Sequence, residues 1–384
     1  MMAMADSTLE PVRPRRIPWL VRLALFCIMV YAFLAAIEMM GDAIGMLGED
    51  RAKTLFEGLA NPFAGLAVGI LATVLMQSSS ATTSTVVAMV GSGTLPLAYA
   101  VPMVMGANVG TSITNTLVSL GHITQGRAFR RAFAGATVHD IFNLMVVAIL
   151  FPLEIATGLL QHTAEWIVSI LPLQTTGGSF HSPIKSAVQG IAKTIHTIAH
   201  DGCGLSGNWL AATLLVLSLG MIVAALVVIN KNMRVLMADR IEFWLNRVLQ
   251  RSMLLGLAIG ILATVMVQSS SITTSLLVPL FAAGVLKLEA GFPIMLGANI
   301  GTTVTAMLAA TVTGPTGLTI AVVHLLFNVI GTIIFLPVRP VRRIPIRISK
   351  QLAVLATQNR IWVLVYILGV FVVGPILGIL LWKS

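Results

Sequence analysis

The chain has 384 residues, of which 57% are hydrophobic and only 10% are charged, and its formal net charge is +10. A soluble globular domain carries about 25% charged residues, so this composition excludes an ordinary soluble protein and indicates a membrane protein. The positive charge does not indicate nucleic-acid binding, because most lysines and arginines lie in short segments that flank apolar stretches, as the positive-inside rule predicts.

Five apolar stretches are long enough to cross a hydrocarbon core of roughly 30 Å as helices. None of them alternates polar and apolar residues as a membrane strand does, so the sequence predicts an all-α polytopic membrane protein. The predicted spans cover about 20–40, 132–153, 209–230, 319–337 and 361–382.

The first span follows a basic N-terminal segment, residues 1–19, which we expect to be cytoplasmic. A signal peptide also has basic residues before an apolar run. Here the run is about 20 residues long and has no clear small-residue cleavage site, so we expect a retained span. The predicted location is the cell membrane, inner or plasma, which the chain crosses several times.

The polar cluster Gln77–Ser80, with the sequence Gln-Ser-Ser-Ser, interrupts the next apolar region. A straight helix would expose these groups to lipid at a high free-energy cost. A re-entrant hairpin over about 62–105, broken at the cluster, would turn them toward the protein interior. Serine is a good N-cap, so the second arm can begin there and present free amides to an anion. The hydroxyl and amide oxygens of the cluster could also coordinate a sodium ion. The structural alternative is that the hydroxyls bond to their own helix or hold neighbouring helices together.

The cluster occurs again 191 residues later, as Gln268–Ser271. Gly65–Ser84 aligns with Gly256–Ser275 without a gap, and 16 of the 20 positions are identical. The sequence therefore predicts a second re-entrant hairpin, at about 253–293.

A glycine-containing segment is duplicated at the same offset. Gly106–Thr111 reads Gly-Ala-Asn-Val-Gly-Thr, and Gly297–Thr302 reads Gly-Ala-Asn-Ile-Gly-Thr. The Gly-x-x-x-Gly spacing suits close helix packing or a broken helix. Polar residues that recur in register at membrane depth predict one site built from two halves, which is typical of a transporter.

Asp140 lies deep within an uninterrupted apolar span, and the matching residue of the second half is Leu325. A carboxylate at this depth indicates an ion ligand or a proton carrier. The alternative is a structural pair with His139 or a distant arginine. Because the matching Leu325 has no charge, Asp140 breaks the symmetry of the two halves with either role.

His139 and Asn143 match His324 and Asn328 across the two halves. Because the members of each pair are four residues apart, they share a helix face. We expect these faces to pack against the hairpins, with direct ligation of an ion as the alternative.

The basic clusters give the two halves opposite orientations. In the first half they precede the spans, and in the second half they follow them, so with all clusters in the cytoplasm the halves form inverted-topology repeats. The predicted division is the N-terminal segment, repeat 1 at 20–157, an external connector at 158–208, repeat 2 at 209–340, and a basic loop with a final span at 341–384. The clusters are Arg13, Arg15, Arg16 and Arg22; Arg127, Arg130 and Arg131; Lys231, Arg234, Arg240, Arg247 and Arg251; and Arg339, Arg342, Arg343, Arg347 and Lys350.

With these features the chain resembles the type II sodium-dependent phosphate cotransporter family, including its bacterial members. The paired Gln-Ser-Ser-Ser clusters, the two Gly-Ala-Asn segments and Arg130–Asp140 carry the resemblance, which covers nearly the whole chain. It implies sodium-coupled uptake of inorganic phosphate by alternating access, with no enzyme activity and no cofactor other than sodium as the co-transported ion. In this family an Asp at the position of Asp140 accompanies electrogenic transport, with three sodium ions for each divalent phosphate.

The resemblance implies that each repeat has a re-entrant hairpin and a broken helix, and that the substrates lie between the hairpin turns and the Asn- and Thr-containing broken helices. The residues expected to bind phosphate are Gln77, Ser78, Ser79, Ser80, Gln268, Ser269, Ser270 and Ser271. The residues expected to bind sodium are Asp140, as a metal ligand, and Thr82, Thr83, Thr273, Thr274, Asn108, Thr111, Asn299 and Thr302. The expected partners are inorganic phosphate, sodium ions and the lipid bilayer, without nucleic acid, and a homodimer is left open.

Three other functions are weighed against this one. A sodium-coupled transporter of another oxyanion, sulfate or arsenate, would have the same architecture. An intramembrane hydrolase would use Ser79 with His139, although the sequence has no Gly-x-Ser-x-Gly elbow. A purely structural or signalling protein would not need so many polar residues at membrane depth.

Overall fold

A computed structural model describes residues 18–47, 61–172, 175–176, 179–180, 183–248 and 252–380. The predicted N-terminal basic segment lies almost entirely outside the described residues, as do Arg251 and the last residues of the final predicted span. The described chain is helical except for two short strands in the connector, so the predicted all-α class is confirmed.

The described residues of the first part of the chain form seven α-helices. They are α1 (Trp19–Leu47), α2 (Pro62–Met76), α3 (Ser79–Gly91), α4 (Leu97–Gly110), α5 (Ile113–Ser119), α6 (Gly126–Thr157) and α7 (Leu159–Ser169), with a 3₁₀ turn at Leu120–His122 after α5. Helix α2 shows how local sequence sets a helix start. Asn61 caps it by accepting a hydrogen bond from the Phe63 amide at 2.8 Å, and Pro62 takes the first turn, where its missing amide costs nothing.

The connector and the second part follow. They comprise β1 (Thr175–Thr176) paired antiparallel with β2 (Ser179–Phe180), then α8 (Pro183–Thr197), a π-helical turn (Ile198–Gly202), α9 (Gly207–Val248), α10 (Met253–Val267), α11 (Ser270–Ser275), α12 (Leu277–Ala283), α13 (Leu288–Phe335), α14 (Arg339–Gln358), α15 (Ile361–Leu368), a π-helical turn (Gly369–Val373) and α16 (Gly374–Leu380). Among the described residues, five helical stretches are long and apolar enough to cross a membrane: Trp19–Met46, Gly126–Thr157, Gly207–Met233, Leu288–Phe335 and Ile361–Leu380.

Helix α13 consists of two segments. At a rise of 1.5 Å per residue, an unbroken helix of 48 residues would be about 72 Å long, more than twice the hydrocarbon core. It breaks at Gly314, whose φ of 82° and ψ of −168° are not helical, and Pro315 follows. The predicted span at 319–337 corresponds to the second segment.

The two Gly-Ala-Asn segments do not break the chain alike. In the first half the helix is interrupted directly after Gly110, between α4 and α5. In the second half α13 continues through Gly297–Thr302, so the broken helix expected there is wrong and the interruption lies at Gly314 instead. The glycines of the second half serve close packing, the other role that the spacing predicts.

Each Gln-Ser-Ser-Ser cluster forms a sharp turn between two helices. Gln77 ends α2 and Gln268 ends α10, and both have left-handed backbones, with φ of 52° and 58°. The second arms are shorter than predicted and end at Gly91 and Ala283 rather than near 105 and 293. A separate turn precedes α4 and another precedes α13, so those helices are not part of the arms.

Small residues bring α2 against α4 and α10 against α13. A Cβ on Gly69 would overlap the carbonyl of Met103, and a Cβ on Gly260 would overlap the carbonyl of Ile294. The backbones of these helices are therefore in direct contact, as in membrane helix pairs with small-xxx-small motifs.

The second arm of each hairpin packs on a long helix of the other half. Gly91 of α3 lies against Thr313 of α13. Ala282 of α12 accepts hydrogen bonds from the guanidinium of Arg131 on α6, at 3.0 and 2.6 Å, while Phe281 covers Gly135. The two halves are thus interlocked rather than placed side by side.

Candidate functional site

The two glutamines hold the hairpin turns through identical contacts. Gln77 donates its side-chain amide to the carbonyl of Val74 at 2.6 Å and accepts a hydrogen bond from Thr114 at 3.2 Å. Gln268 donates to the carbonyl of Val265 at 2.6 Å, and its oxygen accepts from a threonine of α13 at 3.1 Å. Both side chains therefore fix the left-handed turn and tie it to the chain that follows the Gly-Ala-Asn segment of the same half, which is α5 in the first half and α13 in the second.

The serines lie at the start of each second arm. Ser78 caps α3 by accepting from the Ala81 amide at 3.2 Å, and Ser269 caps α11 by accepting from the Ile272 amide at 3.4 Å. The next serine in each half, Ser79 or Ser270, is buried in the first helical turn. Ser80 and Ser271 also belong to these first turns, where amide groups and the helix dipole favour an anion.

The threonines after each cluster hold the hairpins together. Thr73 donates to Thr82 at 3.0 Å, which links the two arms, and Thr264 donates to Thr273 at the same distance. The hydroxyls of Thr83 and Thr274 each bond to a carbonyl of their own helix at 2.8 Å. Thr111 and Thr302 do the same at 2.9 and 3.0 Å. All these hydroxyl protons are used structurally, while the oxygen atoms keep lone pairs for a cation.

Asn108 joins the two halves in a buried network. Its side-chain oxygen accepts hydrogen bonds from Asn328 at 3.1 Å and lies 3.3 Å from the Nε2 atom of His324. Its backbone carbonyl accepts from Asn143 at 2.7 Å. The Gly-Ala-Asn segment of the first half therefore contacts the His–Asn helix face of the second.

Asn299 makes the reciprocal contacts. Its side-chain oxygen lies 2.5 Å from the Nε2 atom of His139, and its amide donates to the oxygen of Asn143 at 2.9 Å. The His–Asn faces were expected to pack against the hairpins, but they hydrogen-bond the Gly-Ala-Asn segments of the opposite half. The other ring nitrogen of His139 lies 3.4 Å from Asn115, so within the described chain Ser79 is not among the hydrogen-bond partners of this histidine. The geometry needed by the hydrolase alternative is therefore missing there.

Asp140 is fully buried and is contacted by hydroxyl groups. Its Oδ2 atom accepts hydrogen bonds from Thr116 at 3.1 Å and from Tyr366 at 2.7 Å. Its Oδ1 atom is buried without a hydrogen-bond partner among the described residues. A structural pair with His139 or an arginine, the alternative weighed for this acid, is not among the hydrogen bonds and ion pairs of the described chain. An unpaired acceptor on a buried carboxylate is a suitable ligand for a cation.

The short helix α5 brings the two hairpins together. Thr114 donates to Gln77 in the turn of the first hairpin. The adjacent Asn115 accepts hydrogen bonds from Thr274 at 3.0 Å and Ser275 at 2.9 Å, both directly behind the turn of the second hairpin. The turn of the first hairpin and the second arm of the second hairpin thus contact neighbouring residues of one helix.

The residues around Asp140 also depart from the repeat. At the offset that pairs the two clusters, Asn115 and Thr116 correspond to Ala306 and Met307. These two polar residues therefore occur in one half only, as Asp140 does. The asymmetry of the site is larger than a single carboxylate.

Sequence reasoning missed several residues of this network. Thr114, Asn115 and Thr116 were not singled out, although a search for positions where the repeats differ in polarity would have found the last two. Tyr366 lies on the final apolar span, outside both repeats, and nothing in the repeat pattern connects it with Asp140. The predicted site residues other than Asp140 lie at the hairpin turns and in the paired Gly-Ala-Asn segments, and hydrogen bonds connect Thr274, Asn299 and Asn108 to residues of the opposite half.

Two cavities in the described part of the chain lie away from these residues. One, of about 650 Å³, is lined by Glu38, Asp42, Lys185, Lys193 and His196 among others. The other, of about 590 Å³, is lined by five basic residues among others and lies between α6, α13 and α14. The predicted site residues line neither of them.

Comparison with known proteins identifies close similarity over most of the chain. A family described as Na⁺/Pi-cotransporter matches residues 32–167 and 217–356. Sodium-dependent phosphate transport protein 2A of Ovis aries is 32% identical over 428 aligned residues, which cover 93% of this chain and 67% of that protein. Protein 2A of Oryctolagus cuniculus is 33% identical, with 93% and 66% covered, and protein 2B of Homo sapiens is 31% identical, with 92% and 64% covered. No solved structure matches the chain.

Proposed function

Because the chain belongs to the Na⁺/Pi-cotransporter family, we propose that it is a secondary active symporter that couples inward sodium movement to the uptake of inorganic phosphate. The family consists of transporters rather than enzymes, and its curated relatives are sodium-dependent phosphate transport proteins. One observation of the structure carries the proposal furthest. Gln77 of the first turn contacts Thr114, and Thr274, three residues beyond the second cluster, contacts the adjacent Asn115, so polar residues of both hairpins converge on α5.

We propose that the phosphate ion binds at the start of α3 and α11. The supporting features are the capped first turns, the buried serines Ser79 and Ser270, and the positive ends of two helix dipoles. Gln77 and Gln268 would act by holding the turns, since their side chains are already engaged there. Ser80 and Ser271 lie in the same first helical turns, so we propose their hydroxyls as further donors to the anion.

We propose that sodium binds at acceptors near this anion. Asp140 Oδ1 and Asn328 Oδ1 are buried oxygens without a hydrogen-bond partner among the described residues, and the threonine oxygens of the hairpins, which keep lone pairs, are the other proposed ligands. A fixed negative charge on Asp140 would bring in one cation more than a neutral site would. The proposed stoichiometry is therefore electrogenic, with three sodium ions for each divalent phosphate.

Alternating access is the proposed mechanism. Asp140, Ser79 and Ser270 are buried, so substrates reach them only if parts of the chain move. The proposed moving parts are inverted repeats at 20–157 and 209–340, each with a re-entrant hairpin. Support comes from the reciprocal contacts between halves and from the interlocked second arms. A cytoplasmic N-terminus and an external connector belong to the same proposal.

Uptake into proteoliposomes tests the function. Purified full-length chain is reconstituted, and entry of radiolabelled phosphate is compared under an inward sodium gradient and an equal potassium gradient. We expect accumulation only with sodium, and it should collapse when a sodium ionophore dissipates the gradient. Sulfate and arsenate are added as competitors. Sodium-driven accumulation of sulfate but not phosphate would show that the chain transports another oxyanion. Equal phosphate uptake with sodium and with potassium would contradict symport.

A further inference from the structure

The cavity between α6, α13 and α14, here called the basic cavity, lies outside the proposed transport site. Its volume is about 590 Å³. The apolar residues of its lining include Phe281 and Leu286, and the charged residues of its lining are five basic residues and one acid. The charged residues are Arg127, Arg130, Arg131, Lys287, Lys350 and Glu289.

Part of this charge is already used within the protein. Lys350 forms an ion pair with Glu289 at 2.6 Å, and Arg131 donates to a carbonyl at the end of α12. For Arg127, Arg130 and Lys287, the described part of the chain provides no hydrogen bond or ion pair. These three exposed cations therefore give the cavity that they line an excess of positive charge, which favours an anion.

The backbone adds to this preference. Helix α6 begins at Gly126, so Arg127 and Arg130 occupy its first turns, and α13 begins at Leu288, directly after Lys287. Neither helix start has a side-chain cap. Cations at the positive end of a helix dipole are unfavourable on their own, and an anion beside them relieves the repulsion.

Helix α14, which closes one side of the cavity, has the pattern of a helix at a membrane surface. Ile346 and Ala353 are buried on its inner face, where it packs against α6. Its exposed surface carries both apolar residues, such as Ile348, and basic residues, such as Arg343 and Arg347. This pattern is typical of a helix at headgroup depth, a position that would bring the basic cavity within reach of lipid phosphates.

We propose that the basic cavity binds a phosphate group, supplied either by the headgroup of an anionic phospholipid or by free inorganic phosphate. The free arginines and lysine would contact its oxygens, and the two uncapped helix starts would donate amides to it. The ligand would bridge α6 of the first half with α13 and α14 of the second. Binding there does not require that the chain transport anything.

Titration of the detergent-solubilised full-length chain tests this site, with thermal stability as the readout and no sodium in the buffer. The probes are dioctanoyl-phosphatidylglycerol, dioctanoyl-phosphatidylcholine and inorganic phosphate. The cavity variant is Arg127→Gln with Arg130→Gln, which leaves the structural Arg131 in place. The matched control is Arg343→Gln with Arg347→Gln, which removes the same charge from exposed positions of α14 outside the cavity.

For the lipid source, we expect phosphatidylglycerol, but not phosphatidylcholine, to raise the melting temperature of the wild type and of the control. The half-saturating concentration should rise about 30-fold in the cavity variant. If inorganic phosphate instead raises the melting temperature of the wild type and the control, and its half-saturating concentration rises in the cavity variant, the source is free phosphate. The proposal is overturned if neither anion raises the melting temperature, or if both bind the cavity variant within about twofold of the control. The cavity variant should melt no lower than the wild type without ligand, since it removes charge from a positive helix end.

Discussion

At the scale of residues, Asp140 is a fully buried acid that the second half does not repeat. It is held by Thr116 and Tyr366, and the second half has Leu325 at the matching position. A buried carboxylate with a free oxygen is costly unless a cation balances it. We therefore expect this residue to decide how much charge accompanies each phosphate, rather than whether phosphate binds.

Replacement of Asp140 by glycine should separate the two properties. With the fixed charge gone, one sodium ion fewer should enter, and two sodium ions balance a divalent phosphate. Asp140→Gly should therefore keep sodium-driven phosphate uptake but lose the phosphate-evoked current. Both quantities are measured on the same proteoliposomes, as radiolabelled uptake and as charge movement on a solid-supported membrane.

The control is Leu325→Gly, which places glycine at the matching position of the second half without removing a charge. It should lower stability, since glycine in a helix costs roughly 1 kcal/mol relative to alanine, but it should retain current. If the Asp140→Gly protein carries as much current for each phosphate as the wild type, Asp140 is not part of the cation site.

Much of the site at this scale was predictable, because duplication marks the residues that both halves use. The repeat at 191 residues points to Gln77, Ser79, Asn108 and their partners without any structure. It gives no signal for Tyr366, which lies outside the repeat and reaches Asp140 only through the packing of the final span. Which histidine meets which asparagine likewise depends on tertiary contacts across the halves.

At the scale of elements, the hairpins depend on backbone contact between α2 and α4 and between α10 and α13. The Gly-x-x-x-Gly residues of α4 and α13 were predicted as packing residues, but Gly69 and Gly260 on the opposing helices were not. The sequence also overestimated the length of each second arm, because apolar residues continue through the turns that end it. Hydropathy alone does not resolve a turn between two apolar helices.

Gly69→Ala should destabilise the first hairpin, because the added methyl group would overlap the Met103 carbonyl. Overpacking of this kind typically costs about 1–3 kcal/mol, so the melting temperature in detergent should fall. The matched control is Gly220→Ala on α9, where a Cβ meets nothing within 4 Å and the better helix propensity of alanine should raise stability slightly. Equal melting temperatures for Gly69→Ala and Gly220→Ala would show that this helix contact is not tight.

At the scale of the whole molecule, the account depends on two halves of opposite orientation. The charge pattern predicts this inversion, and the meeting of Arg130 and Lys350 at one cavity agrees with it, since basic clusters of both halves then lie on one side. What the charge pattern could not predict is the interlocking of the halves, because the crossed contacts join residues more than 150 positions apart.

Labelling of single cysteines tests the inversion. Cys203 lies in the connector and is exposed, so in a Cys27→Ala background it should react with a membrane-impermeant maleimide added to intact cells. A cysteine introduced as Arg343→Cys, in a background lacking Cys27 and Cys203, should react only after the membrane is permeabilised. Reaction of both sites, or of Arg343→Cys alone, in intact cells would contradict the proposed orientation.

The central claim is that the two hairpin turns form one phosphate site, and sodium-driven phosphate uptake by serine variants tests it most directly. Ser79→Ala and Ser270→Ala should each lower kcat/KM about tenfold or more, since each removes a hydrogen bond to a charged ligand. Because both serines would contact the same anion, the effects should not be additive in the double variant. The control is Ser218→Ala, which removes a buried hydroxyl that bonds only to the Leu215 carbonyl among the described residues and should leave uptake unchanged. Wild-type uptake in the Ser79→Ala/Ser270→Ala protein would contradict the claim.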